Sequence, residues 1–378
     1  MTPASPAFRV LILINVRWWN ATAFYAVNIA RILKKNGHLV WVGCNRTYPA
    51  YRIARAFGLK VVPLQFYGMN PFSLGPSFFR MLGLIKNEKI DIINSHRSED
   101  HSFALLAKMI TGVKTVITRG DQRPISANFW SAFRYRVCDA AILTCRNIVE
   151  QNKPIFSSPG HKNRVIYGCV DENHFSLSRS TAQTVVKYGL DAQKIRIGLV
   201  GRFSAVKDQF TLIKAASIIL EKHENVQFVL AGKEIDITTN DLHDRIQELG
   251  LASHFKLFPV VEDVADLMNA LDIGIITSIE SETISRVLLE FMFLGKPVIG
   301  TSVNAIGEII RPGECGELIA PGDAAELAAK IIDLVESPDR IAAYGRKAKQ
   351  LYNQLYSEPV FYQQYMAVFD SVVPNDDG

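Results

Sequence analysis

The strongest constraint on this chain is an alternation that runs almost from end to end. Short apolar, β-branched runs are each followed by a longer stretch with helical periodicity. In the first half the runs are Val10–Asn15, Leu39–Gly43, Val61–Leu64, Asp91–Asn94, Val113–Thr118, Ala140–Thr144 and Arg164–Tyr167. In the second they are Arg196–Val200, Gln227–Ala231, Phe255–Phe258, Ile273–Thr277, Pro297–Gly300 and Glu317–Ile319. Between them lie amphipathic stretches such as Ala21–Lys35, with Phe24, Val27, Ile32 and Leu33 on one side and Gly37 as a stop. Strands that alternate with helices must run parallel, and their sheets need helices on both faces. Each half has strands enough for its own doubly wound sheet.

A chain of 378 residues is the length of two domains at roughly 150 residues each. Apolar periodicity lapses in Ser176–Asp191, so the expected division is residues 1–185 and 186–355, with a C-terminal helix in 356–378 packing back on the first domain. The expected fold class is α/β, two Rossmann-like domains facing across a cleft, where the C-terminal strand ends of such sheets bind ligands.

Charge sharpens the division. The net charge of +5 is the sum of a basic half, 1–190, with 25 Lys+Arg and 9 Asp+Glu (+16), and an acidic half, 191–378, with 17 and 28 (−11). Such asymmetry points to an anionic partner on the basic side. No apolar run approaches the ~20 residues of a membrane span. The start lacks the basic and apolar regions of a signal peptide. Five scattered cysteines without a CxxC read as reduced thiols, which fits a cytoplasmic protein. No nucleic-acid motif is present, and none of the phosphate loops GxGxxG or GxxxxGK[ST].

Two clusters of residues carry chemistry. The run Val200-Gly201-Arg202-Phe-Ser-Ala-Val-Lys207 ends a buried strand in glycine and sets two cations five residues apart. Gly201 would let a phosphate approach the backbone, which Arg202 could grip bidentately and Lys207 as a point charge. The second is Glu282-Thr283-Ile284-Ser285 through Glu290, directly after a strand. A helix starting near Ser285 would aim the amides of Thr283, Ile284 and Ser285 at an anion. Two carboxylates eight residues apart also occur on any solvated helix, so the pair alone leaves both readings open.

Five stretches give these clusters a context: VGRFSAVKD, VQFVLAGKE, FKLFPVVEDVADLMNALDIGIITS, SETISRVLLEFMFLGKPVIGTSVNAIGEII and GECGELIAPGDAAELAAKI. In this order they resemble the C-terminal domain of retaining family 4 glycosyltransferases of the GT-B fold, and Glu282 to Thr301 carries that family's E-x7-E motif. The resemblance implies a nucleotide-diphosphate sugar as substrate, with no cofactor and no metal. Arg202 and Lys207 would bind its diphosphate, Glu290 the ribose, Glu282 the sugar hydroxyls, and the backbone near Val260 and Val261 would sit by the base. The family's E-G-F-G is replaced by Glu282-Thr283-Ile284-Ser285, which narrows the backbone geometry. Pro259 removes one N–H near the base.

The first half is more weakly similar. KIDIINSH ends in His96 where the family has its active-site histidine, which implies a hydrogen-bonding role towards the transferred sugar. VIYGCVDENHF corresponds to the family's linker-proximal stretch. The usual Gly-Gly after the first strand is replaced by a loop with Trp18 and Trp19, which could stack on a sugar or pack on the domain face. Arg119, Asp121 and Arg123, with Arg97, form a cationic cluster suited to an anionic acceptor, Asp121 serving as a base or pairing with an arginine. NFWSAFRYRV mixes aromatic residues with arginine, and Phe66–Phe79 is rich in Phe, Met and Pro; each suits a membrane surface or ordinary core packing equally.

The expectation is therefore a hexosyltransferase-type enzyme, acting on a saccharide or lipid-linked acceptor in lipopolysaccharide-type envelope synthesis. It would be cytoplasmic, with room for a peripheral contact at the inner face of the plasma membrane. A nucleotide-sugar 2-epimerase of the same fold, or a non-catalytic binding relative, are the alternatives.

Overall fold

The computed structural model describes residues 7–66, 71–126, 129–156, 162–173 and 175–373. The expected frayed tail 374–378, residues 67–70 of the Phe66–Phe79 stretch, Asn128 and His174 lie outside them. The chain forms two compact units, Met1–Gly168 with Glu358–Gly378, and Cys169–Ser357.

The first unit holds a seven-stranded sheet: β1 (Arg9–Leu13), β2 (Leu39–Cys44), β3 (Lys60–Pro63), β4 (Ile92–Ser95), β5 (Lys114–Arg119), β6 (Ala140–Leu143) and β7 (Asn163–Val165). Its order is β3-β2-β1-β4-β5-β6-β7. Every pairing is parallel, with Val10 opposite both Val40 and Ile92. The second unit holds β8 (Ile195–Val200), β9 (Val226–Ala231), β10 (Phe255–Phe258), β11 (Ile273–Ile276), β12 (Val298–Thr301) and β13 (Gly316–Ile319). Their order is β10-β9-β8-β11-β12-β13, again all parallel. The central strands are apolar on both faces because helices cover both: Val10, Leu11, Ile12 and Leu13 are wholly buried, as are Ile273 and Ile275.

In each sheet the chain winds outward in both directions from a central pair, β1/β4 in the first and β8/β11 in the second. Such a reversal opens a crevice at the carboxyl ends of the two strands. Helix Ala21–Lys35 has the expected bounds, and Ser98–Thr111 is closed by Gly112 at φ 75°. A six-residue helix, Asn304–Ile309, was not expected from the sequence. It is too short for an apolar period to show, and Gly307 lies inside it.

The units divide at Gly168/Cys169, ahead of the expected 185/186 boundary. The polar Ser176–Asp191 stretch is not a linker, because buried Asp266 organises it. Asp266 accepts hydrogen bonds from the Ser178 backbone N–H (2.9 Å) and hydroxyl (2.5 Å), and from the Arg179 N–H (3.2 Å). The following helix, Thr181–Lys187, then packs on Val264–Ala270.

The last helix, Glu358–Val372, belongs to the first unit. Phe361 meets Tyr25 edge-on at 5.3 Å, and Phe369 meets Phe8 at 6.0 Å. Its first residue, Glu358, takes Arg31 at 2.5 Å and Lys35 at 2.6 Å. Among the described residues no helix is long and apolar enough to cross a membrane.

Burial pushes the Glu358 carboxyl up, but bonding and charge from Lys35 and Arg31 outweigh it and hold the group below its ordinary value. The stability Glu358 contributes is in place above the unfolded carboxyl pKa of about 4.3, and is lost as pH falls through the lower folded value. Glu358→Ala should destabilise the first unit by about 3 kcal/mol, measured as a lower denaturant midpoint at pH 7. The difference from wild type should shrink below pH 4.

Candidate donor and acceptor sites

In the second unit, the loops that leave β8 and β11 are knitted together at the crevice. The Thr277 hydroxyl donates to the Lys207 carbonyl (2.8 Å), and the Ile279 N–H to the Val206 carbonyl (3.0 Å). Gly232, at φ 154°, lets the end of β9 approach closely: a Cβ there would fall 1.9 Å from the Gly201 carbonyl oxygen. Gly201 itself donates its N–H to the Ala231 carbonyl (2.8 Å). Arg202 is exposed and Lys207 is turned inward at the end of a single 3-10 turn.

The Lys207 ammonium contacts the Glu282 carboxylate and lies 3.3 Å from the Ser278 hydroxyl. That hydroxyl donates to the same Glu282 oxygen (3.0 Å). Glu282 is in turn held by its own backbone, whose carbonyl accepts from the Ala305 N–H (3.1 Å) in the unexpected helix. The Thr301 hydroxyl fixes the Ser278 carbonyl at 2.6 Å. Burial, then the charges of Arg202 and Arg286, push the Lys207 ammonium down to about 8. The Glu282 contact acts in the opposite sense.

The helix Arg286–Phe293 starts directly behind Ser285, as the motif spacing suggested. Gly274 on β11 brings it close to the sheet, since a Cβ would fall 2.7 Å from the Phe291 ring. Ser285 is in the left-handed region, φ 47° and ψ 49°, at the place where the E-G-F-G pattern has its second glycine. The turn is thus kept without the glycine, at a conformational cost of about 1–2 kcal/mol. Ser285 is buried, and its hydroxyl has no hydrogen-bond partner among the described residues. Glu290, one turn into the helix, is 4% exposed and accepts from the Arg286 Nε at 2.9 Å; its Oε2 is buried without a partner. Burial raises the Glu290 carboxyl despite Arg286. Lys207, Ser278, Glu282 and Ser285 line one small cavity. Val260 and Val261 follow edge strand β10, on the far side of β9 from β8 and so about 10 Å from it.

In the first unit, His96 follows β4 at the β1/β4 crevice. Asn94 donates its amide to the Val116 carbonyl (3.0 Å) and the Thr118 hydroxyl (2.8 Å), so its Oδ1 faces the His96 Nε2 at 3.0 Å. That contact assigns the proton to Nε2 and leaves Nδ1 as a bare acceptor, buried and without a partner. Burial lowers the His96 pKa to about 3. The ring is therefore neutral at physiological pH. Asp100, wholly buried, accepts from the Asn15 N–H (3.0 Å) and side-chain amide (2.6 Å), which ties the loop after β1 to the helix Ser98–Thr111. Burial raises the Asp100 carboxyl to about 7, against those hydrogen bonds.

Asp121 binds Arg123 through both carboxylate oxygens. Burial opposes ionisation, but Arg123 and then Arg119 hold the carboxyl below its ordinary value, which makes Asp121 a weak base. Arg119 ends β5 and is 8% exposed, and Arg97 precedes the helix Ser98–Thr111. Of the two tryptophans, Trp18 is exposed under the Arg17 guanidinium and Trp19 meets Phe24 edge-on. Phe79, Met109, Ile110 and Trp130 are also exposed.

Sequence reasoning missed Ser278, Arg286 and Asp100. The first two gave no signal, being common polar residues at a loop and a helix start. Asp100, an acid in the first turn of a helix, carried the helix-dipole signal.

Two family models match the chain: Glycosyltransferase Family 4 over residues 22–174 and Glycosyl transferases group 1 over residues 181–351. N-acetyl-alpha-D-glucosaminyl L-malate synthase of Bacillus anthracis is 27% identical over 314 residues, 79% of each chain. The structure of Anabaena HepE in complex with UDP superposes with a TM-score of 0.83 at 21% identity, covering 96% of this chain and all of that one. A glycosyltransferase from Rickettsia africae gives 0.87 at 19%, covering 98% and 100%. These structural likenesses show the fold.

Replacing Ser285 with glycine relieves the left-handed strain and removes a buried, unpartnered hydroxyl, against some added entropy in the unfolded chain. Ser285→Gly should be about 0.5–1 kcal/mol more stable than wild type, read from chemical denaturation.

Proposed function

The chain belongs to the family 4 glycosyltransferases of the GT-B fold, and we propose that it transfers a sugar, with retention, from a uridine-diphosphate sugar to an anionic acceptor. The observation that carries this reading is the buried Lys207–Glu282–Ser278 cluster at the β8/β11 crevice. Beside it, Ser285 and Glu290 each leave a buried oxygen to be satisfied. A sugar diphosphate supplies what these groups lack. Its phosphoryl oxygens accept from Lys207 and Arg202, and its hydroxyls donate to the carboxylates of Glu282 and Glu290. The UDP bound by HepE supports uridine as the base, and the loop at Val260–Val261 would receive it.

The bond between the anomeric carbon and the diphosphate oxygen breaks, its electron pair leaving with the nucleoside diphosphate. The acceptor hydroxyl oxygen bonds to that carbon on the same face and gives its proton to the departing oxygen, where negative charge gathers. Lys207, Arg202 and the start of the helix Arg286–Phe293 stand where that charge develops, so they lower the barrier without a metal ion. His96, in the first unit, is neutral with Nδ1 bare, and is suited to accept from a saccharide hydroxyl. The acceptor is anionic, a reading supported by the L-malate synthase relative and by the +16 of the first half. An envelope saccharide or lipid-linked sugar phosphate belongs to the same class.

The test is a panel of uridine-diphosphate sugars with malate, sugar phosphates and lipid-linked saccharides as acceptors. Lys207→Met should lower kcat/KM by about 100-fold or more, and Glu290→Gln should mainly weaken nucleotide binding, both with unchanged circular dichroism. Full activity of Lys207→Met would overturn the mechanism. Free sugar released without an acceptor would mark an epimerase or hydrolase instead.

Because Lys207 loses its proton near pH 8 in the free protein, diphosphate binding must restore it at higher pH. Affinity for UDP should be level below about pH 7 and fall as pH rises beyond 8, by at most about tenfold per pH unit for one proton. Calorimetry between pH 6.5 and 9.5 checks this, and Lys207→Met should lose the dependence.

A further inference from the structure

The first unit gathers three arginines near the ends of β4 and β5, Arg97, Arg119 and Arg134, none of which is hydrogen-bonded to a carboxylate among the described residues. Arg119 leaves the end of β5, beside the end of β4, where Ser95 pairs with Ile117. Its guanidinium reaches the Arg123 carbonyl and, at 3.4 Å, the Tyr135 hydroxyl. Arg134, on the helix Phe129–Val137, crosses to the start of the helix Ser98–Thr111. It donates to the Ser98 carbonyl and Ser102 hydroxyl there, and to Ser131 on its own helix, each at 3.2 Å. Arg97 precedes that same helix start. All three guanidinium groups act on the His101 imidazole, which burial and their charge, with His96, hold well below its usual pKa.

What these arginines bind is neutral or weak. The Glu99 carboxylate stands 3.7 Å from the Arg97 Nε, too far for a hydrogen bond, and Asp121 is taken by Arg123. The Nε atoms of Arg97, Arg119 and Arg134 are each buried without a partner, and so is Glu99 Oε2. Buried N–H groups are almost always satisfied in folded proteins. Three guanidinium Nε atoms left so, one of them on a side chain more than nine-tenths buried, mark where an anion is received.

We propose that Arg97, Arg119 and Arg134 form the binding site for a compact dianion, a phosphate monoester or dicarboxylate, carried by the acceptor. The word acceptor rests on the function proposed above; the anion site does not. Arg134 is a ligand that sequence spacing could not reveal, since only the packing of two helices brings it to Arg97 and Arg119. Asp121 is not part of the site, and its role is to hold Arg123.

The experiment measures binding of inorganic phosphate and of L-malate to the full chain by calorimetry and thermal shift, with UDP saturating so that the donor site is occupied. Wild type should respond to at least one anion. Arg134→Gln should weaken that response about tenfold or more, the loss of charge-assisted hydrogen bonds, with the affinity for UDP unchanged. If Arg134→Gln does not fold, Arg97→Gln, at a partly exposed position, should show the same loss. No response in wild type, or an undiminished one in the folded variants, would overturn the proposal. If UDP fails to bind while the phosphate response still depends on Arg134, the anion site stands and the donor reading falls. Glycerol 3-phosphate in solution and phosphatidic acid in phosphatidylcholine vesicles then separate the two sources of a phosphate monoester, as whichever one depends on Arg134 is the ligand.

Discussion

A parallel sheet that winds outward in two directions cannot cover the point where it reverses, and everything functional in this chain hangs on that geometry. At β8/β11 the two loops diverge to helices on opposite faces, leaving a crevice that only their side chains can fill. Lys207 arrives from one loop and Glu282 from the other. Their contact closes the crevice, and the hydrogen bonds from Thr277 and Ile279 to the Lys207 loop keep the two loops in register. At β1/β4 the same reversal is closed by Asn15 and Asp100, with His96 beside them.

The charge balance at these two places differs in kind. In the second unit, cations and carboxylates are interleaved, so the protein is tolerably satisfied by itself and a diphosphate would exchange one set of partners for another. In the first unit the arginines outnumber the carboxylates near them, and their unmet N–H groups are a standing cost of folding. Natural proteins retain such costs where binding relieves them. The left-handed Ser285 belongs in the same class, as a strained residue beside the helix that faces the crevice.

Much of this was legible in the amino-acid order. Runs such as Val10–Leu13 and Ile273–Ile276 are apolar on both faces, which only a covered parallel strand requires, so all thirteen strands could be placed to within a residue or two. Gly201, Arg202, Lys207 and Glu282 were marked by spacing and by the family motif, because a loop between strand and helix has few ways to run. The boundary was misplaced because Ser176–Asp191 looks like a polar linker until Asp266, far along the chain, is seen to bind it. Helix Asn304–Ile309 was missed because six residues with an internal glycine show no period.

Sequence alone thus determined the class of fold, two parallel sheets with helices on both faces, and which charged residues stand at the β8/β11 loops. Hydrophobic period and strand-end chemistry are local properties, written in consecutive residues. Tertiary structure alone decided which groups are partnered. It set Ser278 between Lys207 and Glu282, put the His96 proton on Nε2 through Asn94, kept the Ser285 turn without glycine, and carried Arg134 to the Ser98 carbonyl beside Arg97. Each of these depends on how elements distant in the chain pack, and desolvation acts on a side chain only once that packing has buried it.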